Sequence, residues 1–345
     1  MKRIQTAIIG YGYAAQTFHE PFLRALPHYE LIAATGSQAS KAKAHWPLIQ
    51  TFLDAKSLFK ELRPELVIIT TPNQSHYELA VRALELGCHV LVDKPLCTSL
   101  SEANNLKEIA DRSIGSLAVF HNRRFDGDFL TLKHIIEQQQ LGPIRRFESH
   151  FDRARPTPKI RWREIPGAGS GIWYDLGPHL IDQTVSLFGM PRSVQASIRA
   201  LRPGAKVDDS FNLILQYADK EVLLSSSPYC FGRPLRFDLQ GERGRYVKYG
   251  LDIQEAKLVD QHAFITPSWT AEEFANYGRI HTQESSERIV TQPGNYQGFF
   301  EALSRTITAA QPTPVSIDDA IKVMQILEAG VQSSEQGQRI LIDKV

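Results

Sequence analysis

Short apolar runs of four to seven residues recur along the first third of the chain, each followed by a stretch with helical spacing. Residues 4–10 (IQTAIIG), 30–35 (ELIAAT), 65–70 (ELVIIT), 89–92 (HVLV) and 116–121 (SLAVFH) read as strands. Between them, 13–26, 40–44, 58–62, 75–86 and 100–112 carry the helical pattern. Runs this short and this apolar, separated by helices, predict βαβ units and a parallel sheet covered on both faces. After residue 121 the rhythm changes. A helix over 129–139 stops at Leu141-Gly142-Pro143. Long strand-like stretches follow at 144–151, 193–201, 211–217, 221–227, 236–240 and 244–248, joined by turn residues. That pattern predicts a mostly antiparallel, open sheet of six strands. Helices are expected at 178–187 and 317–333, and 252–293 reads as loop and short hairpins. The fold class is therefore α/β: an N-terminal Rossmann-type parallel sheet over residues 1–121, then a C-terminal α+β domain over 122–345 built on a large, mostly antiparallel sheet.

The 345 residues fit two domains at about 150 residues each. Lys and Arg number 39 against 38 Asp and Glu, a net charge of +1, which offers no electrostatic reason to expect nucleic acid or an anionic membrane as partner. Three cysteines without a Cys-x-x-Cys pair exclude a disulfide scaffold and a zinc ribbon, and the scattered histidines lack ligand spacing, so no metal is expected. No apolar run approaches the ~18 residues of a membrane span. The apolar stretch after the basic start is too short for a signal peptide, and a cytoplasmic setting is the expectation.

Gly10-x-Gly12-x-x-Ala15 closes the first strand and opens a helix. The first glycine permits a tight turn, the second lets backbone approach a pyrophosphate, and Ala15 is small enough for helix–strand packing. Amides of Tyr13 and Ala14 would then lie at the helix N-terminus, where anions bind. The second strand ends in Ala34-Thr35-Gly36-Ser37-Gln38, with no carboxylate for a ribose 2′-hydroxyl; Thr35, Ser37 and nearby Lys41 suit a 2′-phosphate instead. NADP is expected ahead of NAD.

Three polar segments stand where further strands end: Thr71-Pro72-Asn73-x-x-His76, Asp93-Lys94-Pro95 and His121-Asn122-Arg123-Arg124. Ligands bind outside the carboxyl ends of strands in such sheets, so these groups face a cofactor by position. In the second half, Asp175 and His179 are four apart, on one face if both are helical. Pro178 suggests that the helix starts about there.

The set Gly10-x-Gly12-x-x-Ala15, Thr71-Pro-Asn73-x-x-His76, Lys94-Pro95 and Asp175-x-x-x-His179 resembles the glucose–fructose oxidoreductase / inositol dehydrogenase (Gfo/Idh/MocA) family over essentially the whole chain. Phe120-His-Asn-Arg-Arg124, Phe151-Asp152-Arg153 and Arg161-Trp162-Arg163 are similar to its NADP-dependent scyllo-inositol dehydrogenase branch. The family usually has Glu-Lys-Pro where this chain has Asp93-Lys94-Pro95. The resemblance implies hydride transfer between NADP and a secondary alcohol of a cyclitol or sugar, with Lys94, Asp175 and His179 as the catalytic trio. It implies that Pro72, Asn73, His76 and Lys94 line the cofactor, joined by Trp162 and Arg163. It makes Arg123, Asp152, Arg163 and Tyr174 candidates for the walls of the substrate site. In similar proteins the bond before Pro95 is often cis, and association through the second sheet is common, so a homodimer or homotetramer is expected. Two other readings stand beside this one: an aldose or deoxy-sugar dehydrogenase, and a non-catalytic cofactor-binding regulator.

Overall fold

The computed structural model describes residues 2–159, 161–260 and 269–342. The chain falls into two compact units, one of Met1–Asn122 with Glu255–Trp269 and Tyr296–Ile321, the other of Arg123–Gln254 with Thr270–Asn295 and Lys322–Val345.

In the first unit, β1 (Ile4–Ile9), β2 (Tyr29–Thr35), β3 (Gln50–Phe52), β4 (Leu66–Ile69), β5 (His89–Asp93) and β6 (Leu117–Phe120) form one sheet. Every pairing is parallel, in the order β3-β2-β1-β4-β5-β6. The central strands read as unbroken apolar runs because both of their faces are covered: all four residues of β4 and of β6 are buried. Each such aliphatic side chain contributes about 1.5–3 kcal/mol by leaving water. Between strands lie α1 (Glu20–Ala25), α2 (Ala55–Glu61), α3 (His76–Glu85) and α4 (Leu100–Arg112). Ser99 caps α4 by accepting from Glu102 N, while the Glu102 carboxylate reaches back to Thr98 N. The short edge strand β3 has no counterpart in the sequence reading. Its residues are exposed or half-buried and therefore carry no apolar run.

The second unit begins with α5 (Gly127–Glu137), β7 (Ile144–His150), α6 (Gly171–Phe188), β8 (Ser193–Arg199), β9 (Ser210–Gln216), β10 (Glu221–Ser226), β11 (Leu235–Gly241) and β12 (Gly244–Tyr249). Along the chain then follow α7 (Gln254–Asp260) and α8 (Tyr296–Ala309), which from Glu255 on belong to the first unit, and β13 (Gly278–His281), β14 (Ser286–Ile289), α9 (Ile317–Gln336) and β15 (Ile340–Leu341). The sheet has nine strands, ordered β14-β13-β12-β11-β7-β10-β9-β8-β15, where six were expected. Among the described residues of this sheet, only β7 and β10 pair parallel. The extra strands are the polar hairpin β13–β14 and the two-residue β15, all too short or too exposed to carry a pattern. The weakly periodic stretch 252–293 also holds α7; its residues 261–268 lie outside the described residues.

α8 belongs to the first unit. Its Tyr296, Phe299 and Phe300 are fully buried, and Phe300 stacks on Phe22 at 5.1 Å and meets Phe120 at 5.6 Å. The Tyr29 hydroxyl donates to Phe300 O at 2.5 Å. This aromatic cluster is part of the first unit's core.

The helix expected at 178–187 starts seven residues earlier, at Gly171, and Pro178 lies inside it. Proline has no N–H to give the carbonyl four residues back, which is why it marks helix starts. Here tertiary packing overrides that penalty. Every residue from Leu176 to Val185 is buried, and Trp173 donates from Nε1 to Leu327 O on α9. Gly330 makes room for that indole, since a Cβ there would lie 2.4 Å from Trp173 Cζ2.

Candidate active site

The glycine turn is held rigidly by its neighbours. Gly10 has φ +92°, and a Cβ on it would lie 2.7 Å from Thr71 Cγ2, so no other residue fits. Its N–H donates to Thr35 Oγ1 at 3.1 Å, and Tyr11 N donates to Thr35 O. Thr35 is thus buried behind the turn and shapes it. Gly12 differs: a Cβ there would meet nothing closer than Gly10 O at 3.8 Å, leaving its backbone open to approach. Tyr13 beside it is exposed, Ala14 half-buried and Ala15 fully buried. The helix continues as a π-helix, Ala15–His19. At the end of β2, Ser37 and Lys41 are exposed. Gln38, which sequence reasoning passed over, accepts from both Lys41 Nζ (2.9 Å) and Gln16 Nε2 (3.1 Å) and so joins this loop to the glycine-turn helix. An open glycine backbone at a helix start, with an exposed amine and hydroxyl in place of an acid, fits a dinucleotide with a phosphorylated ribose.

At the end of β4, Thr71 is half-buried, Pro72 exposed and Asn73 buried. His76 is fully buried, with Nδ1 2.9 Å from Pro95 O and Nε2 2.9 Å from Thr71 O. Burial pushes its pKa down. The ring nitrogens face the carbonyls of Pro95 and Thr71, of which a neutral ring donates to one, and the ring is clamped between the segments after β4 and β5. Asp93 and Lys94 are half-buried, and the Lys94–Pro95 peptide is cis. Asn122 is buried after β6.

In the second unit, Arg123 is buried, 3.3 Å from Asp126 Oδ2, with its guanidinium 4.8 Å from the Phe151 ring centroid. Arg124 makes a two-point ion pair with Asp182, at 2.9 and 2.7 Å. Asp152 accepts from Ser227 N at 2.8 Å, and burial raises its pKa. Asp175 and His179 both lie on α6, four residues apart and so on one face. Asp175 Oδ1 is 3.1 Å from Arg163 Nε, whose guanidinium in turn lies over the Trp162 ring at 4.4 Å. Tyr174 is half-buried and His179 nearly buried.

What starts α6 here is remote in sequence. Asp208 accepts from Trp173 N at 2.7 Å, within the first turn, and Gly171, at φ +85°, has Asp208 Oδ1 2.0 Å from where a Cβ would stand. Burial pushes the Asp208 pKa up to about 6. A carboxyl that binds its proton more tightly folded than unfolded opposes folding once it is ionised. Its contribution therefore turns unfavourable as pH rises from 4 through 6. Asp208→Asn keeps an oxygen for Trp173 N without that cost. Thermal unfolding is expected to show the variant more stable by up to about 2 kcal/mol at pH 8, with the difference vanishing near pH 4.

Family comparison agrees with this architecture. The family model described as oxidoreductase family, NAD-binding Rossmann fold, matches residues 4–121, and that described as oxidoreductase family, C-terminal alpha/beta domain, matches 133–342. The chain belongs to the Gfo/Idh/MocA oxidoreductase family. Among relatives in this family, the uncharacterized oxidoreductase YdgJ of Escherichia coli is 42% identical over 96% of each chain. The Bacillus subtilis protein named scyllo-inositol 2-dehydrogenase (NADP(+)) IolW is 33% identical, over 99% of this chain and 96% of its own length. The solved structure of the oxidoreductase yvaA from Bacillus subtilis superposes with a TM-score of 0.95 at 32% identity, covering 99% of each chain. As a Gfo/Idh/MocA member, the chain is an oxidoreductase whose first unit is an NAD(P)-binding Rossmann domain. No helix among the described residues is long and apolar enough to cross a membrane.

Proposed function

We propose that the protein interconverts a secondary alcohol of a cyclitol or sugar, such as scyllo-inositol, with its ketone, using NADP. The observation that carries this reading is the pairing of Asp175 and His179 on one face of α6, with one carboxylate oxygen held by Arg163. A bound nicotinamide supplies the hydride acceptor, or the donor in reverse. His179 takes the hydroxyl proton, a role of general base to which an imidazole is suited. Asp175 orients that ring and accepts from a substrate hydroxyl. Lys94 donates to the reacting oxygen and stabilises its developing negative charge. Arg123, Asp152 and Tyr174 supply further polar groups for a ring of hydroxyls, and Asn73, Trp162 and Arg163 border the reacting end of the cofactor. The activity for which IolW is named supports the substrate class and the cofactor. A homodimer or homotetramer through the second sheet is part of the same reading.

The test is to titrate NADP and NAD separately, then screen polyols and aldoses in both directions with the tighter cofactor. Tighter binding of NADP is expected, and Lys41→Glu is expected to weaken NADP about tenfold while leaving NAD little changed. Equal affinity for both cofactors in the wild type would remove the phosphate-reading role of Ser37 and Lys41. Reduction of NADP by aldoses alone would replace the cyclitol reading.

A further inference from the structure

Asp93 is the last residue of β5, and Lys94, the amine of the proposed reaction, follows it. Asp93 Oδ1 lies 2.7 Å from Nε2 of His19. His19 closes the π-helix that follows the glycine turn and is fully buried. Its ring lies against Phe120, centroids 4.3 Å apart, and edge-on to Phe300 at 5.8 Å. A phenyl ring would satisfy those two neighbours equally well, so the nitrogens of the imidazole need their own account. Nδ1 is buried with no hydrogen-bond partner among the described residues. A proton on Nδ1 would be buried with no acceptor, whereas one on Nε2 meets a carboxylate, so Nε2–H is the donor to Asp93. π-Turns interrupt α-helices mostly where a side chain must be re-aimed, often at functional sites. Here the turn ends on the residue that reaches the end of β5.

On the other side of Lys94, the His76 ring lies against the carbonyl of Pro95, with Nδ1 2.9 Å from the oxygen. The residues before and after the amine are thus each fastened by a buried imidazole, one through a side chain and one through the backbone. An unfastened Asp93 carboxylate would turn toward the neighbouring ammonium and compete with substrate for it. We propose that His19 is a positioning residue, whose hydrogen bond to Asp93 holds the end of β5 and with it the direction of the Lys94 amine. The proposal rests on the reaction assigned above; His19 exchanges no proton in it.

Three variants test this: His19→Phe, which keeps the ring packing and removes the donor; His19→Gln, which keeps a donor near the Nε2 position; and His19→Leu, which removes the donor with a smaller apolar side chain. In the full-length protein, His19→Phe is expected to lower kcat on the polyol about tenfold, with KM and the NADP affinity within about threefold of wild type. His19→Gln is expected to recover kcat to within about threefold. A second measurement reads the amine without turnover: the rate at which acetic anhydride labels Lys94, followed by mass spectrometry. That rate is expected to change about threefold or more in His19→Phe and to stay near wild type in His19→Gln. Unaltered kcat and unaltered labelling in His19→Phe would overturn the proposal, as would a His19→Gln protein impaired as much as His19→Phe. Should His19→Phe not fold, His19→Leu carries the same expectations, and normal Lys94 labelling in it overturns the proposal. If the wild type oxidises no polyol, the assigned reaction falls, while the labelling rates still decide whether His19 holds Lys94.

Discussion

Replacing His179 by alanine is expected to lower turnover of the polyol about 100-fold or more, the usual scale for a lost acid–base group. That corresponds to about 2.7 kcal/mol of transition-state stabilisation. Cofactor affinity is expected to stay near wild type, because the glycine turn, the Lys41 loop and the clamp at His76 all belong to the first unit and His179 to the second. The substitution suits its surroundings. Position 179 is inside α6, alanine is the best helix former, and the lost ring leaves a helix still held by Asp208 at its start and by Trp173 against α9. Kinetics at saturating cofactor, with cofactor affinity measured separately by fluorescence, checks both halves. Unchanged turnover on a verified substrate would take His179 out of the reaction.

The parallel sheet was legible because its strands are buried on both faces, which writes them as apolar runs such as LVII in β4. β3 was not, since an exposed edge strand is free to be polar, and the β13–β14 hairpin fell within the short hairpins expected at 252–293 but was not expected to extend the second sheet. The residues of the glycine turn could be named from spacing, but the reasons for them could not. Gly10 is a glycine because Thr71 stands against it, sixty-one positions away. The same holds on α6. Spacing alone put Asp175 and His179 on one face, yet the true start of the helix depends on Asp208, and Asp175 is also met by Arg163. Pro178 pointed to the wrong start because local chemistry was weighed without the packing that overrides it. His19 carried no motif at all; only the fold shows that the helix after the glycine turn ends against Asp93. Local chemistry is written in neighbouring residues, and the positioning of that chemistry is written in long-range contacts.

Removing the Arg236 guanidinium is expected to cost more stability than any other single change considered for the second unit. Arg236, on β11, is 1% exposed. It donates to Ser149 Oγ (3.0 Å) and His150 O (3.3 Å) on β7 and to Gln183 Oε1 (2.8 Å) on α6, and its Nε lies 3.4 Å from Asp128 Oδ2 on α5. Burial pulls its pKa down and the Asp128 charge draws it back up. One side chain thus ties two strands to both helices, including the one that carries Asp175 and His179. In Arg236→Met the aliphatic volume is kept, but Asp128, itself 1% exposed, loses its counter-charge, and Gln183 loses the donor that faces it. Breaking a buried pair from one side costs about 3–5 kcal/mol, because the remaining charge stays buried without compensation. Asp252 would feel the same charge: burial and Asp128 already push its pKa up to about 6. Thermal unfolding of Arg236→Met is expected about 10 °C below wild type. The double variant Arg236→Met/Asp128→Leu, which removes both charges, is expected to regain at least about half of the loss, since an apolar replacement of a whole buried pair is close to neutral. A single variant within about 1 kcal/mol of wild type, or a double variant no better than the single, would show that the guanidinium contributes packing rather than charge. In that case the hold on α6 would have to come from Trp173 and Asp208 instead.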